Sequence, residues 1–297
     1  MNFRILKALG ASLALAATAH AGPVTVDGSL SDWGITVGDN NTSTYPVSYS
    51  NPGSGFDGAT GTAWHLEDQN DGAGNGGYLG PNAGGQNYDA EFLGARIQGG
   101  KLYIAIVTGQ RPDNGFKNYS PGDIRIETSG GRYGIEVGGG EGVGTTGPFT
   151  ILEGDAGTTY KTYSNGYTEA VSEICAACVG AHAGDLYEGG DWILDPINPT
   201  GPVQLDPDTL GTHAGIADYI YTSAGPDQHA IIELSIDISA FGGDTLEGVH
   251  WRPSCGNDEL NLSVEVRRLT EVPEPGTYAL FGGALIALGW IRRRKQR

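Results

Sequence analysis

The residues best suited to chemistry lie in one acidic stretch, HLEDQNDGAGNGG, at positions 65–77. Its oxygen-bearing side chains fall within a single turn: Glu67, Asp68, Asn70 and Asp71. Calcium binds about six to eight oxygens of this mixed kind. The stretch is not an EF-hand, because Leu79 stands where the loop requires a bidentate glutamate. It predicts a calcium site or a solvated polar turn, and CGNDE at 255–259 is a weaker candidate of the same kind.

Cysteine chemistry is limited to Cys175, Cys178 and Cys255. In an oxidising compartment two of them are expected to form a disulfide, either within CAAC or between Cys255 and one member of that pair. The alternative is a zinc site, because His182 follows Cys178 at a spacing found in zinc ligand sets.

Aromatic side chains in polar stretches are the candidates for stacking on sugar rings: Trp64, Tyr78 and Trp192. Such rings can also pin their own loop to a sheet by burying a large apolar area. No nucleophile elbow, zinc-protease helix or phosphate-binding loop is present in the sequence. The chain is therefore expected not to be an enzyme, with a hydrolase of unrecognised site as the remaining alternative.

The elements that position these residues are predicted to be β-strands. Residues 89–109 read as two strands joined at Gly99-Gly100, since consecutive glycines supply the positive φ angles of tight hairpin turns. Residues 122–137 repeat the pattern. Residues 229–242 alternate an apolar face with a face expected in water, which consists of Glu233, Ser235 and Asp237.

One apolar and one wet face per strand predict antiparallel sheets packed face to face. The predicted fold is an all-β, jelly-roll-like sandwich that forms one domain over residues 22–271. Long Gly-rich stretches at 39–88 and about 138–218 show little strand signal and are predicted to be loops.

The two ends carry targeting signals. Residues 1–21 read as a signal peptide with a basic start, an apolar run and a small-x-small cleavage site at Ala19 and Ala21. Residues 276–291 form an apolar run of 16 residues, which reaches roughly 24 Å as a helix against a bilayer core of about 30 Å. Flanking arginines at 292–294 favour a short transmembrane helix whose end stays cytoplasmic.

Charge separates the ends from the body. Residues 22–271 hold 34 acidic and 10 basic residues, a net charge of −24. A body this acidic repels nucleic acid and anionic lipid, and it is compatible with divalent cations. Membrane attachment is therefore expected only at the tail, residues 272–297.

That tail resembles the PEP-CTERM sorting signal of exosortase substrates. The resemblance rests on Pro273-Glu274-Pro275, the short apolar run and the Arg292-Arg293-Arg294 end. It implies a Gram-negative bacterium that makes exopolysaccharide. It also implies transient anchoring in the inner membrane, cleavage near Pro-Glu-Pro by an exosortase-type protease and release to the cell surface, after signal peptidase has removed the leader.

The body resembles two further groups. VTVDGSLSDWG, at 24–34, is similar to the opening strand of family 9 carbohydrate-binding modules, in which the tryptophan packs on the sandwich. YSPGDIRIETSGGRYGIEVGG and WRPSCGNDELNL resemble exosortase-dependent surface proteins of unassigned activity. These resemblances imply a non-enzymatic surface or matrix protein associated with exopolysaccharide and biofilm, with a carbohydrate-binding module as the alternative.

Overall fold

A computed structural model describes residues 22–38, 43–50, 52–67, 89–110, 121–137, 183–194, 201–206, 209–222, 229–253 and 258–262, and the backbone of strands at 150–153, 159–162 and 168–171. Short 3-10 helices span Leu30–Trp33 and Ile238–Phe241. The strands, in chain order, are β1 (Gly53–Asp57), β2 (Thr62–Leu66), β3 (Ala90–Gln98), β4 (Lys101–Thr108), β5 (Ile124–Thr128), β6 (Arg132–Ile135), β7 (Thr150–Glu153), β8 (Thr159–Thr162), β9 (Thr168–Val171), β10 (Asp185–Glu188), β11 (Trp192–Leu194), β12 (Pro202–Leu205), β13 (Thr212–Ile216), β14 (Asp218–Tyr221), β15 (Ala230–Asp237), β16 (Leu246–Trp251) and β17 (Leu260–Asn261).

Two six-stranded sheets form the body. Sheet 1 has the strand order β1-β2-β3-β4-β15-β14, and sheet 2 has the order β13-β10-β6-β5-β16-β17. A hairpin, β11-β12, and a three-stranded sheet, β7-β8-β9, are separate from them. Pairing between the described strands is antiparallel throughout. The all-β, antiparallel prediction is confirmed.

The main core lies between the two sheets. Ile104 and Leu234 of sheet 1 share one buried apolar cluster with Ile126, Ile135 and Trp251 of sheet 2. Every second residue of a strand points to this cluster, because side chains alternate across a strand. The face-to-face packing makes the body a β-sandwich.

Both hairpins predicted from the sequence are present. β3 and β4 pair from Gln98 and Lys101 onward, and Gly99 and Gly100 between them have φ angles of 58° and 78°. These angles lie in the left-handed region, which only glycine adopts at little cost. β5 and β6 form the second hairpin.

The outer face of sheet 1 is covered as well. Residues 22–38 and 43–50, here called the N-terminal cover, place Leu30 and Trp33 against Phe92 and Val107. Trp33 is 2% exposed, so it packs on the sandwich as the resemblance of its stretch implied. The central strands of sheet 1 are therefore buried on both faces.

Two expectations were wrong. Glu233 and Ser235 do not face water but are buried, at 0% and 3% exposure. The N-terminal cover lies over Glu233, and Ser235 donates to Asp218 of the neighbouring strand. The stretches at 39–88 and 138–218 are not free of strands. The first contains β1 and β2 and the second contains β7 to β13, since these short strands are held by pairing with neighbours rather than by a strong local pattern.

Candidate metal centre

Three acidic side chains from distant parts of the chain meet at one edge of the sandwich. Glu67 directly follows β2, Asp89 directly precedes β3, and Asp258 lies just before β17. One carboxylate oxygen from each residue lies within 4.8 Å of the other two. The meeting follows from topology, because β2 and β3 are antiparallel neighbours and β17 of sheet 2 comes close to both of them.

Backbone hydrogen bonds hold these residues in place. The amide of Glu67 donates to the carbonyl of Glu91 at 3.0 Å, which extends the β2–β3 pairing by one step. The amide of Ala90 donates to Oδ2 of Asp258 at 3.2 Å, and this bond ties the start of β17 to the start of β3. Asp89 is 6% exposed, whereas Glu67 and Asp258 are half-buried.

The spacing of the three oxygens suits a calcium ion. Calcium–oxygen distances are about 2.3–2.6 Å, so ligands on opposite sides of the ion lie about 5 Å apart. Glu67, Asp89 and Asp258 could therefore supply part of the oxygen shell of a calcium ion.

Sequence reasoning nominated two of the three residues. Glu67 belongs to the predicted calcium stretch, and Asp258 belongs to the weaker CGNDE candidate. Asp89 was considered only as the start of a strand. The signal that could have found it is its position, since the end of one strand and the start of its antiparallel neighbour lie at the same edge of a sheet.

The residue next to Asp258 has a different role. Glu259 places Oε1 3.2 Å from Nε2 of His250 and Oε2 3.7 Å from Nη2 of Arg252. The close approach of His250, together with the charge of Arg252, lowers the pKa of Glu259. Burial lowers the pKa of His250, so this imidazole is neutral at neutral pH. Glu259 is thus an ionised partner of basic groups beside the acidic site.

His65 lies on β2, two residues before Glu67. Its Nδ1 is 2.6 Å from Oγ of Ser54, the residue directly opposite it on β1. Burial lowers the pKa of His65, while the charge of Glu259 opposes that shift.

A second group of carboxyls lies at the start of β5 and the end of β6. Asp123 is buried and accepts hydrogen bonds from the amides of Val137 and Leu205, both at 2.8 Å. Burial raises the pKa of Asp123 to about 7 in spite of these bonds. Burial, and then the charges of Asp123 and Asp185, raise the pKa of Glu136 to about 8.

The two aromatic candidates in the described part of the chain, Trp64 and Trp192, differ in their burial. Trp64 is not a loop residue, as the sequence suggested, but part of β2, and its ring is 4% exposed. It stacks on Tyr49 with ring centroids 5.1 Å apart and 22° between the planes. A sugar could reach that ring face only by displacing Tyr49 of the N-terminal cover. Trp192 begins β11 and is half-buried.

Other nominated residues lie outside the described part of the chain. They are the calcium candidates Asp68, Asn70 and Asp71, the aromatic Tyr78, the sulfur and zinc candidates Cys175, Cys178, His182 and Cys255, the cleavage-site residues Ala19 and Ala21, and the tail residues Pro273, Glu274, Pro275, Arg292, Arg293 and Arg294. The predicted transmembrane run at 276–291 is outside it too. In the described part, no helix has the length and apolar character needed to cross a bilayer.

Comparison with known proteins gives a match in the tail. No curated protein and no solved structure matches the chain. The family model of the PEP-CTERM protein-sorting motif matches residues 271–295, which include Pro-Glu-Pro, the apolar run and most of the basic end. The chain thus carries a PEP-CTERM sorting motif, which supports an exported protein that exosortase processes and sorts to the cell surface through the membrane.

Proposed function

We propose that this protein is a non-enzymatic component of the cell surface or extracellular matrix, associated with exopolysaccharide and biofilm. The sorting motif at 271–295 is the observation that carries the proposal, because a protein routed to the surface acts where surface polysaccharide is. The acidic body supports it, since a net charge of −24 keeps the released domain soluble and away from anionic lipid.

Processing at both ends follows from this proposal. Signal peptidase cleaves after Ala21, and the exosortase removes the tail near Pro273-Glu274-Pro275. The test is intact-mass measurement on fractions of the native host. The surface fraction should contain a chain that begins at Gly22 and lacks the Arg292–Arg294 end.

A variant with Pro273, Glu274 and Pro275 replaced by alanine should remain in the inner-membrane fraction with its tail intact. A variant with alanine at Pro46 and Pro52 serves as the matched control for proline loss and should be released normally. An uncleaved chain found stably in the cytoplasm would contradict the proposal.

A second candidate function is calcium binding at Glu67, Asp89 and Asp258. The observation that favours it is the convergence of their oxygens within 4.8 Å, because two of the three come from stretches nominated independently for calcium. Binding to the native state alone stabilises a protein by about 2.7 kcal/mol when the ligand is at a hundred times its Kd. Calcium should therefore raise the melting temperature more than magnesium does.

The matched pair of variants is Asp89→Asn and Asp191→Asn. Asp89→Asn removes a ligand charge at the site and should abolish the calcium-dependent rise in melting temperature. Asp191 is exposed at the edge of β11, so Asp191→Asn should leave that rise unchanged. Equal melting curves for the native protein with and without millimolar calcium would remove this candidate.

Glycan contact remains a proposal for Trp192, which is half-buried at the start of β11. If its ring stacks on a sugar, Trp192→Ala should weaken retention of the protein on host exopolysaccharide with little loss of stability. If the ring packs on its own hairpin, the same change should cost about 3 kcal/mol in folding and leave retention per folded molecule unchanged. Turnover of labelled polysaccharide by the purified protein would instead support the hydrolase alternative.

A further inference from the structure

The N-terminal cover is anchored to the sandwich almost from its first residue. Gly22 and Pro23, which follow the proposed leader, are exposed. Val24 is 3% exposed and belongs to the apolar cluster on the outer face of sheet 1. Its amide donates to Oε1 of Gln98, at the end of β3, at 2.9 Å. Only two residues therefore separate the proposed cleavage site from the first residue that the sandwich holds.

The anchoring continues along the next residues of the cover. The amides of Asp27 and Gly28 donate to Oε2 of Glu233 at 2.9 and 3.0 Å. Nε1 of Trp33 donates to Oε1 of the same carboxylate at 3.1 Å. Because Glu233 lies on β15, the start of the cover is tied to two central strands of sheet 1, β3 and β15. Residues 24–33 cannot be drawn away from the sheet without breaking these bonds.

A protease needs more free chain than the docked cover leaves. It binds several residues on each side of the scissile bond in an extended form, so cleavage concentrates in exposed and weakly held segments. Gly22 and Pro23 together span at most about 7 Å when extended. The next residue, Val24, is already buried. The docked cover thus withholds from signal peptidase the residues that lie on the mature side of the cleaved bond.

The charge of the body also opposes docking while the leader is in the membrane. Asp27 is exposed and Asp32 is half-buried near the start of the cover. Docking would hold a body with a net charge of −24 within two residues of the membrane surface. Anionic headgroups repel such a body over a Debye length of about 8 Å at physiological ionic strength. An undocked cover acts instead as a spacer between the leader and the body.

We propose that the N-terminal cover is a strap that closes on sheet 1 only after the leader has been removed. The inference rests on the proposed cleavage after Ala21. In the precursor, the outer face of sheet 1 lacks its covering segment, and Glu233 lacks the three donors that the cover supplies. Leader removal is the step that completes this buried face, so the released body is more stable than the membrane-held precursor.

Cleavage of the purified full chain in mild detergent tests this order of events. Residues 16–21 are replaced by a recognition sequence after which a site-specific protease cuts, with Gly22 directly following the cut. A companion chain carries a flexible Gly-Ser spacer inserted before Gly22. The chain without the spacer should be cut at least about tenfold more slowly, because cleavage then depends on the population in which the cover is open.

Three variants of the chain without the spacer assign the protection to the cover. Glu233→Ala removes the acceptor that holds the cover and should restore most of the cleavage rate. Leu234→Ala, on the inner face of the same strand, weakens the core and should leave the protection in place. Gln98→Ala removes only the acceptor of the Val24 amide. It should raise the rate by a smaller factor, and it keeps the test decisive if Glu233→Ala fails to fold.

Equal cleavage rates with and without the spacer would overturn the proposal. An acceleration by Leu234→Ala as large as that by Glu233→Ala would also overturn it, because the protection would then reflect global stability. Intact-mass measurement of the host protein separates the two levels of the argument. A mature chain that does not begin at Gly22 refutes the proposed cleavage site and this inference with it. A chain that begins at Gly22, together with equal cleavage rates, refutes the inference alone.

Discussion

The central strands of sheet 1 are buried on both faces, yet the two faces are buried in different ways. The inner face presents apolar side chains such as Ile104 and Leu234 to sheet 2. The outer face of the same strands also carries Arg96 and Glu233, which lie under the N-terminal cover at 1% and 0% exposure. One face is held by area removed from water, and the other depends in addition on specific hydrogen bonds.

Glu233 shows how the outer face is specified. Its Oε1 accepts from Nε1 of Trp33 at 3.1 Å, and its Oε2 accepts from the amides of Asp27 and Gly28 at 2.9 and 3.0 Å. Burial raises the pKa of Glu233, whereas these bonds lower it. The Asp-Gly-x4-Trp stretch is therefore a docking element for a buried carboxylate. The hydrogen bonds to Glu233 determine where this stretch lies on sheet 1, because hydrogen bonds are directional and apolar contacts are not.

The largest expected effect comes from removing that carboxylate. Glu233→Ala leaves the buried indole N–H of Trp33 and the part-buried amides of Asp27 and Gly28 without their acceptor. A buried loss of this kind costs about 1–3 kcal/mol, and a part-buried one costs less. The free energy of unfolding in urea should fall by about 4 kcal/mol. Glu233→Gln keeps one acceptor oxygen and should cost about half as much. A loss below about 1 kcal/mol for Glu233→Ala would show that the N-terminal cover is held by apolar contacts alone.

The matching change on the inner face is Leu234→Ala, one residue further along the same strand. Leu234 is 0% exposed, and truncating a buried leucine typically costs about 2–5 kcal/mol. We expect about 3 kcal/mol, measured by the same urea titration. Tryptophan fluorescence of the native state should shift in Glu233→Ala, which frees the Trp33 indole, but not in Leu234→Ala. Val47→Ala, at a fully exposed position, is the control and should be near neutral.

A smaller loss of stability is expected at Gly94, where the aromatic rings of the outer face lie close to the backbone of β3. A Cβ added to Gly94 would lie 2.8 Å from the Phe92 ring and 3.0 Å from the Trp33 ring. Gly94→Ala should therefore cost about 2 kcal/mol through overpacking. At Gly131 nothing lies within 4 Å of an added Cβ, so Gly131→Ala should be neutral. Equal melting temperatures for the two variants would mean that the N-terminal cover shifts to accommodate the added methyl group without a cost in stability.

The smallest expected effect is on the pH dependence of stability, and it concerns Asp123 of sheet 2 in comparison with Glu233 of sheet 1. Asp123 accepts from two backbone amides, whereas Glu233 accepts from two amides and the indole N–H of Trp33. Burial raises the pKa of Asp123 to about 7. Its native form binds a proton that the unfolded form has already lost, so its contribution is largest below the unfolded pKa. That contribution falls as pH rises through 7, by about 1.4 kcal/mol between about pH 6 and pH 8.

Asp123→Asn should remove that part of the pH dependence. His65 and His250 contribute with the opposite sign, because a lowered histidine pKa favours folding as pH rises. The difference between wild type and Asp123→Asn reports the aspartate together with its effect on Glu136, because the charge of Asp123 helps raise the pKa of Glu136. Asp191→Asn is the control. Parallel stability profiles for wild type and Asp123→Asn across this range would contradict the assignment.

Much of the inner face could be predicted from period-two alternation. Ile232, Leu234 and Ile236 point inward as expected, and the hairpin at Gly99-Gly100 lies where two consecutive glycines allow it. The outer face could not be predicted in the same way, because polar residues at alternate positions are typical of a solvated face. Nothing local to β15 indicates that residues two hundred positions away will cover Glu233.

The candidate metal site was likewise predictable only in part from the sequence. Glu67 and Asp258 were nominated by local composition, whereas Asp89 joins them only because β2 and β3 are antiparallel neighbours beside β17. Trp64 was placed in a loop because its stretch is polar and lacks a run of apolar residues. Pairing with β1 and β3 makes it part of a strand, and Tyr49 covers its ring.

By itself the sequence determined the fold class, the hairpins and the sorting of this protein. These properties depend on local patterns, namely alternation along a strand, glycine at a turn, and a Pro-Glu-Pro, apolar and basic order that a membrane protease reads in the linear chain. Only the tertiary structure decided which polar residues are buried and which acidic residues meet. Those outcomes depend on contacts between segments far apart in the chain, and the cost of burying a charge is met there by donors that no local pattern contains.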